Sequence, residues 1–139
     1  MTPVDQSPDT YIPHRPPVAC LDVVLFVDQS RALTQRTVRG ETDSDEPLWE
    51  LWVIEGLAQT AAVLNGNNQL ASGRPSVKGM LVGIRNLQIH RRPKLGETIQ
   101  FEVELVKRIT PLTLIDGRAR VDDEEIAVGQ MKFYVELAS

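Results

Sequence analysis

The chain has 139 residues, of which 42% are apolar and 24% are charged, which suits one domain with a single hydrophobic core. Its formal net charge of −4 argues against nucleic acid as a general partner, and the sequence has no apolar run long enough to predict a membrane span. A single cysteine, Cys20, and a first segment without a basic start or an apolar run predict a cytoplasmic protein without disulfides.

The first predicted elements are an extended arm and a β-hairpin. Residues 1–17 contain five prolines, which predicts an arm that lies along the domain or in solvent, whereas residues 18–139 form one domain. Residues 18–28 are rich in β-branched and apolar side chains and predict a strand. Residues 31–41 predict its hairpin partner across a turn at 28–30.

A helix follows the hairpin. Pro47, after a polar loop with capping residues, fits the first helical turn, and "PLWELWVIEGLAQTAAVLN" predicts a helix to about residue 65, ended by Gly66. The segment is apolar almost all the way round, so we expect the helix to be buried. Glu55 is a carboxylate set among these apolar residues.

The remainder of the chain predicts four strands. Residues 77–92 form a long strand whose glycines indicate a bend or bulge, and residues 98–109 show the clearest alternation of apolar and polar positions. Residues 112–121 and 126–137 predict a hairpin that turns at 122–125. This order, β-β-α-β-β-β-β, predicts a curved sheet wrapped around the helix, with open edges where a second subunit can pair.

Three segments resemble the bacterial 3-hydroxyacyl-[acyl-carrier-protein] dehydratases of the FabZ type. They are "IPHRPPVACLDVV", "IEGLAQTAAVL" and "LVGIRNLQIHRRPKLGETIQFEVEL", and they occur in the family's order over residues 11–137. The resemblance implies the hotdog fold, an α+β fold in which a curved antiparallel sheet of about six strands wraps around one long central helix. The "AQT" triplet and Gly66, eleven residues after Glu55, are closer to the divergent ApeP-like branch found in aryl-polyene biosynthesis clusters.

The same resemblance implies that this chain keeps only one residue of the family's catalytic pair, the helix glutamate. In the family the helix glutamate acts on the leaving 3-hydroxyl, and a histidine fourteen residues earlier removes the α-proton. Glu55 matches the glutamate, but the histidine position holds Glu41, and the family's turns ahead of the helix are missing. Glu41 and His14 are the two candidates for the base, with a solvated acidic loop and a structural hydrogen bond as the respective alternatives.

Four further positions are candidates for the site. Gln59 lies one helical turn after Glu55 and is placed to orient it. Gly83 matches a family glycine whose backbone N–H holds the thioester carbonyl, with a simple bulge as the alternative. Trp52 either lines an acyl tunnel or belongs to the core or to a dimer contact. Gly56 is a substrate-binding candidate for which close contact between helix and sheet is the preferred interpretation.

A basic cluster in this acidic chain suggests a partner. Arg91, Arg92 and Lys94 are candidates for docking an acyl carrier protein, which is acidic, although a solvated turn between strands is the alternative. The sequence has no metal-ligand cluster, phosphate-binding loop or dinucleotide motif, so we expect no metal and no cofactor.

Three functions stay open at this point. The first is a 3-hydroxyacyl-thioester dehydratase (a lyase) of fatty-acid or polyketide-type metabolism, with acyl carrier protein or coenzyme A as the carrier. The second is an acyl thioesterase that uses Glu55, Gln59 and Thr60. The third is a non-catalytic acyl-binding subunit that pairs with an active relative. We expect a homodimer formed through the 77–92 strands, with the tunnel at the subunit interface.

Overall fold

A computed structural model describes residues 3–7, 21–39, 49–72 and 79–135. In this part of the chain one helix lies against a seven-stranded sheet in which every pair of neighbouring strands is antiparallel. The elements are β1 (Pro3–Gln6), β2 (Val23–Val27), β3 (Arg31–Thr37), α1 (Trp49–Ser72), β4 (Gly79–Ile89), β5 (Thr98–Ile109), β6 (Leu112–Val121) and β7 (Glu124–Val135).

The sheet has the order β1-β2-β3-β5-β6-β7-β4. The helix α1 contacts β2, β3, β4, β5 and β6. Alternation along β5 places Ile99, Phe101 and Val103 on the inner face, where each is fully buried. On the helix, Val53 and Leu57 belong to the same core cluster. The predicted hotdog architecture, a sheet wrapped around one helix, is therefore confirmed.

The predicted end of the helix is wrong, because α1 continues through Gly66 to Ser72. Beyond Gly66, the side-chain amide of Asn67 donates to the carbonyl oxygen of Asp28 at 3.2 Å, and Asn68 donates to Gln29 at 3.3 Å. These bonds attach the last turns of α1 to the β2–β3 turn. They offset the cost of about 1 kcal/mol that a glycine in a helix interior carries relative to alanine.

The strand boundaries differ in detail from the prediction. Residues 3–6, in the predicted arm, form β1 and pair with β2, and β4 ends at Ile89 instead of at the predicted residue 92. The last hairpin turns over two residues rather than four, with Asp122 in the left-handed region at a φ of 53°. The bulge expected in the long strand is confirmed, because the β4–β7 register shifts between Leu81 and Gly83.

Candidate functional site

One side of α1 is less deeply buried than the side that faces the sheet. Leu51, Glu55, Ala58 and Ala62, spaced by four, three and four residues, share this side, which we call the open stripe. Leu51 is 58% exposed and the other three are half-buried, whereas Val53 and Ala61 on the sheet side are fully buried. Among the described helix residues only Leu51 is exposed, so the expected burial holds on the sheet side and is partial along the open stripe.

Glu55 stands in the middle of the open stripe and is held by Gln59. The side-chain amide of Gln59 donates to Oε1 of Glu55 at 2.9 Å, and Gln59 itself is 1% exposed. A buried amide has few alternative positions, so this bond fixes one oxygen of the carboxylate. The structure thus brings together the two residues that the i, i+4 spacing predicts to meet.

A buried pair of hydroxyl groups connects α1 to the sheet beside this site. Thr60 donates to the carbonyl oxygen of Gly56 at 2.8 Å, and the hydroxyl of Thr34 on β3 lies 2.9 Å from that of Thr60. All three residues are buried. The Thr34 contact was not predicted, although a threonine among the apolar residues of the helix was a signal that a polar partner faces it.

Gly56 and Trp52 both lie against the ring of Phe101. A Cβ added to Gly56 would lie 2.4 Å from Cζ of Phe101, so the glycine allows the ring to lie directly beneath the helix. The Trp52 ring meets Phe101 edge-on at a centroid distance of 6.4 Å, and the Arg36 guanidinium lies 5.8 Å from the centroid of the Trp52 ring. These contacts fit the core interpretations; substrate-binding roles for Trp52 and Gly56 stay predictions.

Gly83 lies on β4, at the edge of the sheet. It is paired with Lys132 of β7 just after the bulge, and a Cβ built on it would have the Cβ of Lys132 as its nearest neighbour, at 4.0 Å. The bulge explains its position in the fold. Its proposed backbone contact with a thioester carbonyl stays a prediction.

The basic cluster is partly neutralised by neighbouring carboxylates. The Arg91 guanidinium donates to both oxygens of Glu97 at 2.9 Å and to Glu124 at 2.9 Å. Hydrogen bonds from Arg91 hold the pKa of the Glu97 and Glu124 carboxyls below their usual value. The backbone N–H of Lys94 also donates to Glu97, at 2.6 Å. Carrier docking by Arg91, Arg92 and Lys94 stays a prediction.

The two candidate bases, His14 and Glu41, lie outside the described residues. Within the described ranges, no three side chains of the metal-binding types come close enough to hold a metal ion. The same ranges contain no helix with both the length and the apolar character that crossing a bilayer requires.

Comparisons with known proteins agree with this architecture. Two relatives are named 3-hydroxyacyl-[acyl-carrier-protein] dehydratase FabZ. The relative from Xylella fastidiosa strain M23 is 26% identical over 125 residues, which cover 84% of this chain and 78% of the relative. The relative from Oceanobacillus iheyensis is 24% identical over 135 residues, which cover 89% and 92% of the two chains.

Solved structures share the fold at lower identity. The dehydratase heterocomplex ApeI:P from Xenorhabdus doucetiae matches with a TM-score of 0.81 and 20% identity over 94% of this chain and 91% of that one. A hypothetical thioesterase with coenzyme A from Streptococcus pneumoniae matches with a TM-score of 0.66 and 9% identity, over 82% and 84%. The model of the ApeP-like family, described as ApeP dehydratase, matches residues 6–137. The chain therefore belongs to the ApeP-like dehydratase family and is a FabZ-like, hydroxyacyl dehydratase-like protein with the hotdog fold.

Proposed function

We propose that this chain is a subunit of a dehydratase that acts on 3-hydroxyacyl thioesters carried by acyl carrier protein or coenzyme A. The observation that carries the proposal is the position of Glu55, a carboxyl held by Gln59 on the less deeply buried, otherwise apolar side of α1. An acyl chain needs such an apolar surface, and its elimination chemistry needs a proton donor beside that surface. The named activity of the FabZ relatives supports the same substrate class.

In the proposed reaction a base removes the proton from C2 of the substrate. Glu55 gives its proton to the 3-hydroxyl, the C3–O bond breaks, water leaves, and a double bond forms between C2 and C3. Gln59 acts as a positioning residue, because it holds Oε1 of Glu55 and leaves the acid proton to Oε2.

A second subunit completes the site in this proposal. The open stripe leaves Glu55 and its apolar neighbours only partly buried, and β4 is the last of the described strands on its side of the sheet, with Met80 63% and Val82 50% exposed. Pairing of two β4 strands gives the homodimer, and pairing with a related dehydratase gives a heterodimer whose partner supplies the base. Its single cysteine supports a cytoplasmic location for the assembly.

The test is turnover of three thioesters by the purified protein. It is incubated with 3-hydroxyacyl, enoyl and saturated acyl thioesters, and enoyl absorbance and free thiol are followed together. We expect enoyl interconversion, and we expect Glu55→Gln to slow it by about 10²–10⁴-fold, since the variant has no acidic proton to give. Glu50→Gln is the matched control, because Glu50 lies in the first turn of the same helix; it should keep the wild-type rate.

Other outcomes contradict the proposal in distinct ways. Release of thiol that depends on Glu55, without enoyl formation, would identify a thioesterase. Thermal stabilisation by acyl thioester without turnover, alone or with a co-expressed related dehydratase, would identify a non-catalytic acyl-binding subunit. Unchanged enoyl formation in Glu55→Gln would remove Glu55 from the mechanism.

A further inference from the structure

An arginine on β3 is directed toward the inside of the fold. Ala32, Thr34 and Arg36 alternate along β3 on the face that is turned toward α1, and the first two are fully buried. Arg36 pairs across the strands with Ile99 of β5, which is also fully buried, and its own side chain is only 12% exposed. A carboxylate oxygen of Asp22 lies 3.8 Å from the guanidinium. The structure therefore places a mostly buried cation on the inner face of the sheet.

The stability of the fold does not account for a cation at this position. Removing a guanidinium from water is unfavourable, and a hydrophobic side chain of similar volume in place of a buried ion-pair partner is often as stable or more stable. Asp22 has hydrogen bonds besides its contact with Arg36, because the backbone N–H of Thr37 donates to one of its oxygens at 2.8 Å and Arg39 donates to the other at 2.9 Å. Arg36 in addition contacts the helix.

The helix residue that Arg36 contacts is Trp52. The guanidinium lies over the indole ring, 5.8 Å from its centroid. The same ring meets the fully buried Phe101 edge-on, at an interplanar angle of 66°. A guanidinium stacks well on an indole face, and the attraction is strongest where both groups are shielded from water. The two contacts therefore fix the Trp52 ring in one orientation between α1 and the sheet.

Trp52 is a neighbour of Glu55 on α1, since side chains three residues apart share one face of a helix. Trp52 lies closer to the sheet than Glu55 does, because its ring contacts Phe101 of β5 whereas Glu55 belongs to the open stripe. The carrier end of a bound thioester has to stay at the surface, so the acyl tail is the end that extends toward the sheet. A tail that passes Glu55 in this direction meets the Trp52 ring.

We propose that Trp52, held by Arg36, sets the length of the acyl chain that the site accepts. Trp52 is the specificity-determining residue, because its ring blocks the path of a long chain. Arg36 is a positioning residue that acts through the ring. That the ligand is an acyl chain rests on the proposed function; the fixed ring beside Glu55 does not. The inference predicts a site that favours short acyl chains.

The experiment compares the affinities of the protein for a short and a long acyl group. The probes are the amide analogues of butanoyl- and octanoyl-N-acetylcysteamine, which undergo neither elimination nor thiol release, and calorimetry gives a Kd for each. In the wild type we expect the octanoyl analogue to bind no more tightly than the butanoyl analogue, although its additional methylene groups would ordinarily favour it. Trp52→Leu should lower the Kd of the octanoyl analogue about tenfold relative to that of the butanoyl analogue, since it leaves room for about two more buried methylene groups. Arg36→Gln should change this ratio in the same direction by about threefold.

Further variants separate positioning of the ring from a general structural role. Arg36→Lys keeps a cation beside the ring and should recover much of the wild-type ratio. Arg39→Gln is the matched control, because it removes a cation from the same carboxylate of Asp22, and it should leave the ratio unchanged within about twofold. In a Trp49→Phe background Trp52 is the one remaining tryptophan, and there Arg36→Gln should raise the quenching of its fluorescence by acrylamide.

Three results would overturn the inference. They are an absence of binding of either analogue by the wild-type protein, the same ratio of affinities in Trp52→Leu as in the wild type, and an equal effect of Arg36→Gln and Arg39→Gln. Turnover of 3-hydroxyacyl thioesters is measured separately. Its absence, together with the expected change in the ratio of affinities, would contradict the proposed dehydratase and leave the roles of Trp52 and Arg36 intact.

Discussion

At Gly56 the lack of a side chain decides how closely α1 approaches the sheet. Three ring atoms of Phe101 would lie between 2.4 and 2.8 Å from an added Cβ. We expect Gly56→Ala to lower the free energy of unfolding by about 1–3 kcal/mol, because overlap in the core outweighs the roughly 1 kcal/mol by which alanine is favoured in helices. Urea denaturation measures this change.

Two variants test that explanation. Gly83→Ala should change stability by less than about 0.5 kcal/mol, since its Cβ would have no heavy atom closer than 4.0 Å. Combining Gly56→Ala with Phe101→Leu should recover part of the loss, because the smaller side chain vacates the space. Additive losses in the double variant would show that the overlap with Phe101 is not the cause.

At the same scale, sequence spacing was enough to pair Glu55 with Gln59, because residues four apart on a helix are neighbours. The half-burial of Glu55 could not be predicted in this way. Both sides of α1 are apolar in sequence, so periodicity does not say which side the sheet covers. The contact between Gly56 and Phe101 likewise depends on the register of β5 under the helix.

Among the elements, the connection between β4 and β5 is joined to the first residue of β7 through Arg91, which binds Glu97 and Glu124. The folded chain holds the Glu97 and Glu124 carboxyls below their unfolded pKa of 4.5, so the unfolded chain binds protons at higher pH. The stabilisation is therefore complete above the unfolded value and is lost as the pH falls through the lower folded values. Acidification below about pH 4.5 should weaken the fold through these groups.

We expect Arg91→Gln to reduce the free energy of unfolding near neutral pH by about 1 kcal/mol and to make its fall below about pH 4.5 shallower. Urea unfolding across the acidic range measures both effects. Lys107→Gln removes the same charge from β5 and should leave the pH dependence as in the wild type. An equally steep acid dependence in Arg91→Gln would contradict the assignment to this ion pair.

The length of α1 shows where element prediction fails. Gly66 is a good helix-ending residue by local rules, and asparagines at 67 and 68 favour a loop. Their amides instead reach the carbonyl oxygens of Asp28 and Gln29, which are 39 residues earlier in the chain. A tertiary contact of this kind overrides local propensity and has no signal in the local sequence. The alternation in β5, by contrast, predicted both its bounds and its inner face.

At the scale of the whole molecule, the edge of β4 that no described strand pairs with predicts the state of association. Ile84 on β4 pairs with the buried Met131 on β7 and is itself 37% exposed. The inner apolar face of the sheet therefore extends to the edge strand, where it is partly exposed. Light scattering should give about twice the 15.5 kDa chain mass. We expect Ile84→Lys to give one chain mass, because a lysine at this edge opposes pairing of the β4 strands.

Leu95→Lys is the matched control for association. Leu95 is 66% exposed but lies in the turn before β5, so a lysine there should leave the dimer intact. A wild-type protein of one chain mass, or dissociation by both substitutions alike, would contradict pairing through β4.

The short strand β1 limits what such edges can build. β1 pairs with β2 and forms the sheet edge opposite β4. It has only four residues, and the first of them is Pro3. Proline has no amide hydrogen to donate and a four-residue strand presents few groups for pairing, so further strands gain little there. Among the described strands β4 is therefore the one long edge strand. When two chains pair through β4, neither has a long edge left for a third chain. Growth of the sheet then terminates at a closed pair instead of continuing into a fibre.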